Sequence, residues 1–174
     1  MAQFKGFVFV ILGLALLVTA VSLLMPSKVM TAQTVMINAP KEKIESAITD
    51  LGKWKYWHPV FSEPGTQVSL DQLAHGKVKS ASWYSDGKKN ILQSTTIDTG
   101  QFAFTLNREH ENELMNIFTV TPIHQAGGFQ VEWRVLARLK WYPWEKFSGI
   151  FFANVVGPGN QQALDQLKKY AEAL

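Results

Sequence analysis

Histidine, cysteine and paired carboxylates are the side chains from which most catalytic and metal sites are built, and this chain is sparing with them. Its four histidines stand apart at 58, 75, 110 and 124, and it has no cysteine. Without a His-x-x-x-His spacing, a thiol or an Asp/Glu cluster at ligand spacing, no metal site, disulfide or thiol chemistry is expected, and no cofactor. No serine sits in a Gly-x-Ser-x-Gly elbow, so a hydrolase triad has no support. Gly157-Pro158-Gly159 lacks the third glycine and the Lys-Ser/Thr of a phosphate loop, and reads instead as a break between two helical stretches. The carboxylates of Asp50, Asp98, Glu109, Glu111, Glu113 and Glu132 are expected on solvated surface. His124, at a strand end, is expected to face solvent. That leaves His58 as the one candidate acid or base, set in the aromatic run Trp54-Lys55-Tyr56-Trp57-His58-Pro59; the plainer reading is a half-exposed ring bonded to nearby backbone.

The rings are the stronger signal. Six Trp and 11 Phe are many for 174 residues, and every Trp falls after residue 28. A cavity lined with large rings and few polar groups selects apolar or ring-bearing ligands over charged metabolites.

Elements that position these rings follow from periodicity. Phe7 to Met25 is a run of 19 residues without a charge, about 28 Å as a helix, which matches the hydrocarbon thickness of a bilayer. It is longer than a signal-peptide core, no small-x-small site follows it, and it is apolar all round, unlike an amphipathic core helix. The expectation is therefore a membrane anchor over 1–28 and one domain over 29–174. Lys5 before the span and Lys28, Lys41 and Lys43 after it leave orientation nearly balanced. The short leading tail inclines it towards an extracytoplasmic domain on the inner or plasma membrane. Removing 1–28 takes two of the 17 basic residues and none of the 14 acidic ones, leaving 15 against 14. Near neutrality without a basic face gives no reason to expect nucleic-acid binding.

Within the domain, Val29 to Asn38 reads as a strand running into a helix after Pro40, whose buried face is Ile44, Ala47, Ile48 and Leu51. Six further strands are expected at about 66–70, 77–84, 90–97, 101–108, 113–123 and 129–140, separated by turn signals such as Asp86-Gly87 and Gly127-Gly128. The last alternates most regularly, with Phe129, Val131, Trp133, Val135 and Ala137 on one face. Helical spacing returns from Pro143 through Phe147, Ile150, Phe151 and Val155. It resumes after the Gly-Pro-Gly break with Asn160 as N-cap, a face of Leu164, Leu167, Ala171 and Leu174, and an Asp165–Lys169 pair. Strands followed by a long helix argue an α+β domain.

This order, with Ile37-Asn38-Ala39-Pro40, the Trp54–Pro59 segment, Ser82-Trp83-Tyr84-Ser85-Asp86 and Gly157-Pro158 ahead of Leu164-Asp165-Gln166-Leu167, resembles the START-like SRPBCC superfamily. The likeness is to its polyketide cyclase/dehydrase branch, and more narrowly to bacterial members with an N-terminal transmembrane helix. It implies a helix-grip fold, in which a curved seven-stranded antiparallel sheet wraps a long C-terminal helix over an elongated cavity. Gly159, Asn160 and Gln161 stand where many relatives carry acidic residues, and the strand after Asp86-Gly87 lacks an expected Gly-x-Gly, so ligand identity does not carry over. Strand alternation turns Phe104 and Trp133 towards the concave side; the resemblance adds Trp57 and Trp83, and places His58 at the cavity mouth. Phe118 and Phe151 complete the candidate ligand-binding set. Three functions are compatible with these residues: a non-enzymatic, membrane-tethered binder of a hydrophobic or lipid-like molecule, a cyclase or dehydratase using His58, and an interaction or stress-response protein whose cavity is filled by its own rings. Oligomeric state is not readable from the chain.

Overall fold

A computed structural model describes residues 2–72, 78–96, 101–123 and 127–173. His75, His124, Asp98, Gly76 and Gly100, and the expectations placed on them, lie outside these residues. Helix α1 (Ala2–Leu24) carries the apolar run and has no polar stripe. Most of its side chains project away from the domain, as in Phe9 and Leu24, which are 73% and 88% exposed, while Ser22 near its end is buried. By length and composition α1 suffices to cross a membrane.

Strand β1 (Lys28–Ile37) leads into α2 (Lys41–Thr49), a 3-10 turn (Leu51–Tyr56) and the short α3 (Pro59–Ser62). The meander follows: β2 (Ser69–Gln72), β3 (Val78–Ser85), β4 (Lys88–Thr96), β5 (Gln101–Arg108), β6 (Leu114–Pro122) and β7 (Phe129–Arg138). After it come α4 (Pro143–Ser148), a 3-10 turn (Gly149–Phe151) and α5 (Phe152–Ala173). The seven strands form one antiparallel sheet in the order β1-β7-β6-β5-β4-β3-β2. Strand β1 returns beside β7, and α5 packs on β1 and α2. Six of the seven expected strands overlap the observed ones along most of their length; the second lies at Ser69–Gln72, a few residues later than expected.

Local chemistry explains the turns that matter. Asp86 and Gly87 both adopt positive φ, 52° and 72°, as a two-residue turn between twisted strands requires. Gly128 has φ 147°, and a Cβ there would lie 3.0 Å from the Ile37 carbonyl, so only glycine lets β7 start this close to the end of β1. Val131, Trp133, Val135 and Ala137 of β7 are buried while their neighbours are not. Val131, Trp133 and Val135 meet Ile44, Ile48, Leu164 and Leu167 in a core whose fully buried large side chains each contribute roughly 1.5–3 kcal/mol.

Three expectations are corrected. Gly157-Pro158-Gly159 does not break the helix, because α5 runs through it with Pro158 inside. The proline denies a donor to the Asn154 carbonyl, but Asn154 is exposed and water can serve that oxygen. Gly157 is buried against β1, where a Cβ would come within 2.9 Å of the flexible Gln33 amide and push it aside. Asn160 is consequently no N-cap; it sits mid-helix. Asp165 accepts from Gln161 at 3.0 Å, and the helix's charge pair is Lys168–Glu172.

Strand register also fixes the polarity of the sheet. Lys28 pairs with Arg138, Leu114 with Ala137, Leu106 with Leu114, Asn90 with Arg108 and Ser85 with Lys88. The start of β1, where α1 joins, therefore lies at the same end of the sheet as the β3–β4 and β5–β6 turns. At that end Lys146 of α4 is buried and donates to the Met25 carbonyl (3.2 Å) and Ser27 Oγ (2.6 Å), tying α4 to the α1–β1 junction.

Candidate functional site

The aromatic segment after α2 is held by the helix end itself. The last carbonyls of a helix have no intrahelical partner. Two of them are met here by indoles: Trp54 Nε1 donates to Ile48 O (2.8 Å) and Trp57 Nε1 to Ala47 O (3.0 Å). Both rings are thereby fixed, and His58, whose backbone N–H donates to Trp54 O at 2.7 Å, is carried inward with them.

His58 stacks on Trp54 with centroids 5.1 Å apart and planes 13° off parallel, and meets Trp57 and Phe61 edge-on. Its Nδ1 is buried and has no hydrogen-bond partner. Burial disfavours the charged ring and lowers its pKa from 6.5 to about 4, so the imidazole is neutral at pH 7.

Around this ring lies a chamber of about 240 Å³. The sheet contributes Trp83, Leu92, Leu106, Leu114, Asn116, Trp133 and Val135; the segment after α2 contributes Trp54, His58, Val60 and Phe61; α5 contributes Val156 and Asn160. No lining residue is charged. Trp133 Nε1 donates to Asn116 Oδ1 at 3.1 Å, so that polar pair is satisfied within the wall. Asn160 Nδ2, by contrast, is buried without a partner. Two lining residues thus bring unspent hydrogen-bonding capacity to an otherwise apolar space, and a buried polar group left unpaired costs roughly 1–3 kcal/mol.

A second compartment, also about 240 Å³, shares Val60, Trp83, Leu106 and Leu114 with the chamber. The rest of its wall is polar, including Ser85, Asn90, Arg108, Glu111 and Asn112. Arg108 pairs with Asp86 at 3.0 Å and Glu111 at 3.5 Å, and Lys88 with Glu111 at 2.7 Å. This vestibule sits at the end of the sheet where α1 joins, and Asn112 reaches from it to Glu145 of α4 (2.6 Å).

Of the residues singled out from sequence, His58, Trp83 and Trp133 line the chamber. His58 belongs to the ring cluster in its wall and is partly exposed as a residue. Trp57, Phe104 and Phe118 are buried in the layer behind; Phe118 stacks on Trp133 at 4.7 Å. Phe151 is outside: it precedes α5 in a 3-10 turn and is 60% exposed. Trp54, Phe61 and Asn160 were missed. The first two carried a signal in their spacing around His58; Asn160 was hidden by the supposed helix break. Among the described residues no three His, Asp or Glu side chains converge as metal ligands.

A family model described as polyketide cyclase/dehydrase and lipid transport matches residues 28–172. Among curated proteins none matches. Solved structures with this fold include a START superfamily protein from Mycobacterium smegmatis (TM-score 0.63, 16% identity, covering 83% of this chain and 98% of that one). A Chromobacterium violaceum protein (0.56, 16%, 83% and 98%) and a hypothetical protein from Helicobacter pylori (0.59, 11%, 83% and 87%) are similar to the same extent. At these identities the likeness concerns the fold alone.

Proposed function

This chain belongs to the polyketide cyclase/dehydrase and lipid transport family, and on that premise we propose that it is a non-enzymatic, membrane-tethered binder of an amphipathic, lipid-like molecule. The observation that carries the reading is the uncharged aromatic chamber in which His58 Nδ1 and Asn160 Nδ2 both lack partners. A neutral imidazole nitrogen and an amide N–H are together suited to a hydroxyl or ester group on a largely apolar body. Either compartment alone falls short of the roughly 300 Å³ at which ligand pockets begin; a ligand spanning both, past their shared residues Val60, Trp83, Leu106 and Leu114, would exceed it. The apolar part of the ligand occupies the chamber and its polar head the vestibule, while α1 acts as the anchor that keeps both beside the lipid supply.

The enzyme reading has less to stand on. A general base works best with a pKa near the operating pH. At about 4 the His58 ring is a weak one, and no carboxylate lines the chamber to serve as its partner.

Native mass spectrometry of the full chain, released from detergent micelles, tests the proposal. Wild type is expected to carry a stoichiometric lipid-like adduct, and Val156→Trp, which fills the chamber, is expected to lose it. Adducts of equal occupancy in both proteins, or none in wild type, would remove the chamber as the binding site.

A further inference from the structure

The segment between β7 and α5 exposes apolar side chains in a way that the rest of the domain does not. Trp141, Trp144, Phe147, Ile150, Phe151 and Val155 are 66, 70, 37, 60, 60 and 76% exposed within 15 residues. Elsewhere on the described domain, exposed large apolar residues such as Met30, Tyr56 and Tyr84 are scattered singly, as on any soluble surface. A contiguous apolar patch needs an occupant.

Its position says which. Helix α4 packs against α1, and Lys146 binds the backbone where α1 ends. The patch is therefore continuous with the C-terminal end of the apolar span. Lys28, Arg138 and Lys140 are exposed beside this junction, and Lys140 Nζ lies 5.8 Å over the Tyr142 ring. Trp and Tyr flanked by Lys and Arg at the end of a span is the composition that settles at the headgroup layer of a bilayer.

We propose that Trp141, Trp144, Phe147, Ile150, Phe151 and Val155 form a collar that inserts into the interfacial layer of the bilayer crossed by α1, setting the vestibule against the lipid headgroups. The proposal rests on α1 being a membrane anchor. Its consequence follows from the register: the vestibule opens at the end of the sheet where α1 joins, and the Asn112–Glu145 bond links its wall to α4. A lipid-like ligand then passes between bilayer and cavity without its apolar part crossing water, and the collar fixes the tilt that makes this possible.

The test uses full-length protein reconstituted in phosphatidylcholine/phosphatidylglycerol vesicles with or without bromine on the upper acyl chain. The anchor contains no Trp, and Trp54, Trp57, Trp83 and Trp133 are buried, so Trp141 and Trp144 report on the collar. Flotation with the vesicles is expected in every case. Emission of wild type is expected to be quenched by brominated lipid, and W141F/W144F to be quenched markedly less. Quenching by a bromolipid bound in the chamber would persist in the double variant, so the difference isolates the collar. Floating protein quenched equally in wild type and variant overturns the proposal while leaving the anchor standing, as does floating, unquenched protein that crosslinks as a dimer through this face. Protein that does not float overturns both.

Discussion

His58 shows how one residue's environment decides its chemistry. In the unfolded chain its imidazole titrates near 6.5; in the fold burial lowers that to about 4. Between these values the unfolded state binds more protons than the folded one, so stability rises with pH across the window. The contribution is complete above about pH 6.5 and is lost as pH falls towards 4, by at most about 3 kcal/mol if the shift is fully realised. Thermal unfolding between pH 7 and 4 is expected to show this decline in wild type and a flatter profile in His58→Phe, which keeps a ring in the stack. Parallel profiles would mean that the ring is solvated. The sequence pointed to His58 because of its aromatic neighbours. It gave no hint that Asn160 faces the same space, since that depends on α5 continuing through a proline.

At the scale of elements, α5 and the segment after α2 set the shape of the chamber. Pro158 leaves one helical carbonyl unpaired inside α5, and proline costs roughly 3 kcal/mol relative to alanine in a helix interior. Pro158→Ala is therefore expected to raise the melting temperature by a few degrees. Unchanged or lower stability would show that the proline fits the packing of α5 on β1 without cost. The strands were readable because a two-residue period with one wet face admits little else, and β7 shows it from Phe129 to Arg138. Helix α5 was misread for a physical reason: a Gly-Pro-Gly sequence disfavours helix locally, and only the gain from pressing buried Gly157 and Leu164 against the sheet outweighs that preference. The indole caps on α2 were likewise invisible, since an aromatic Trp54-x-x-Trp57 spacing does not announce which carbonyls its N–H groups will reach.

At the scale of the whole molecule, the proposed anchoring by α1 carries a prediction of sidedness, with the domain outside the cytoplasm. The chain has no cysteine, so a single Tyr84→Cys, at a position 67% exposed, gives an unambiguous label. An impermeant maleimide applied to intact cells is expected to react with it; reaction only after lysis would place the domain in the cytoplasm. Length, the charge-free run from Phe7 to Met25 and the alternation of the strands were enough to determine an apolar N-terminal helix followed by an α+β domain built on antiparallel strands, because burial and backbone pairing impose those periods on any chain. The tertiary structure alone decided what the rings do. It sent Phe104 and Phe118 into the core, Trp54 and His58 to the chamber, and Phe151 to a surface patch beside α1. These side chains are chemically alike, and periodicity gives each a face of its own element but not what lies opposite that face; that is set by how α4, α5 and the sheet pack together.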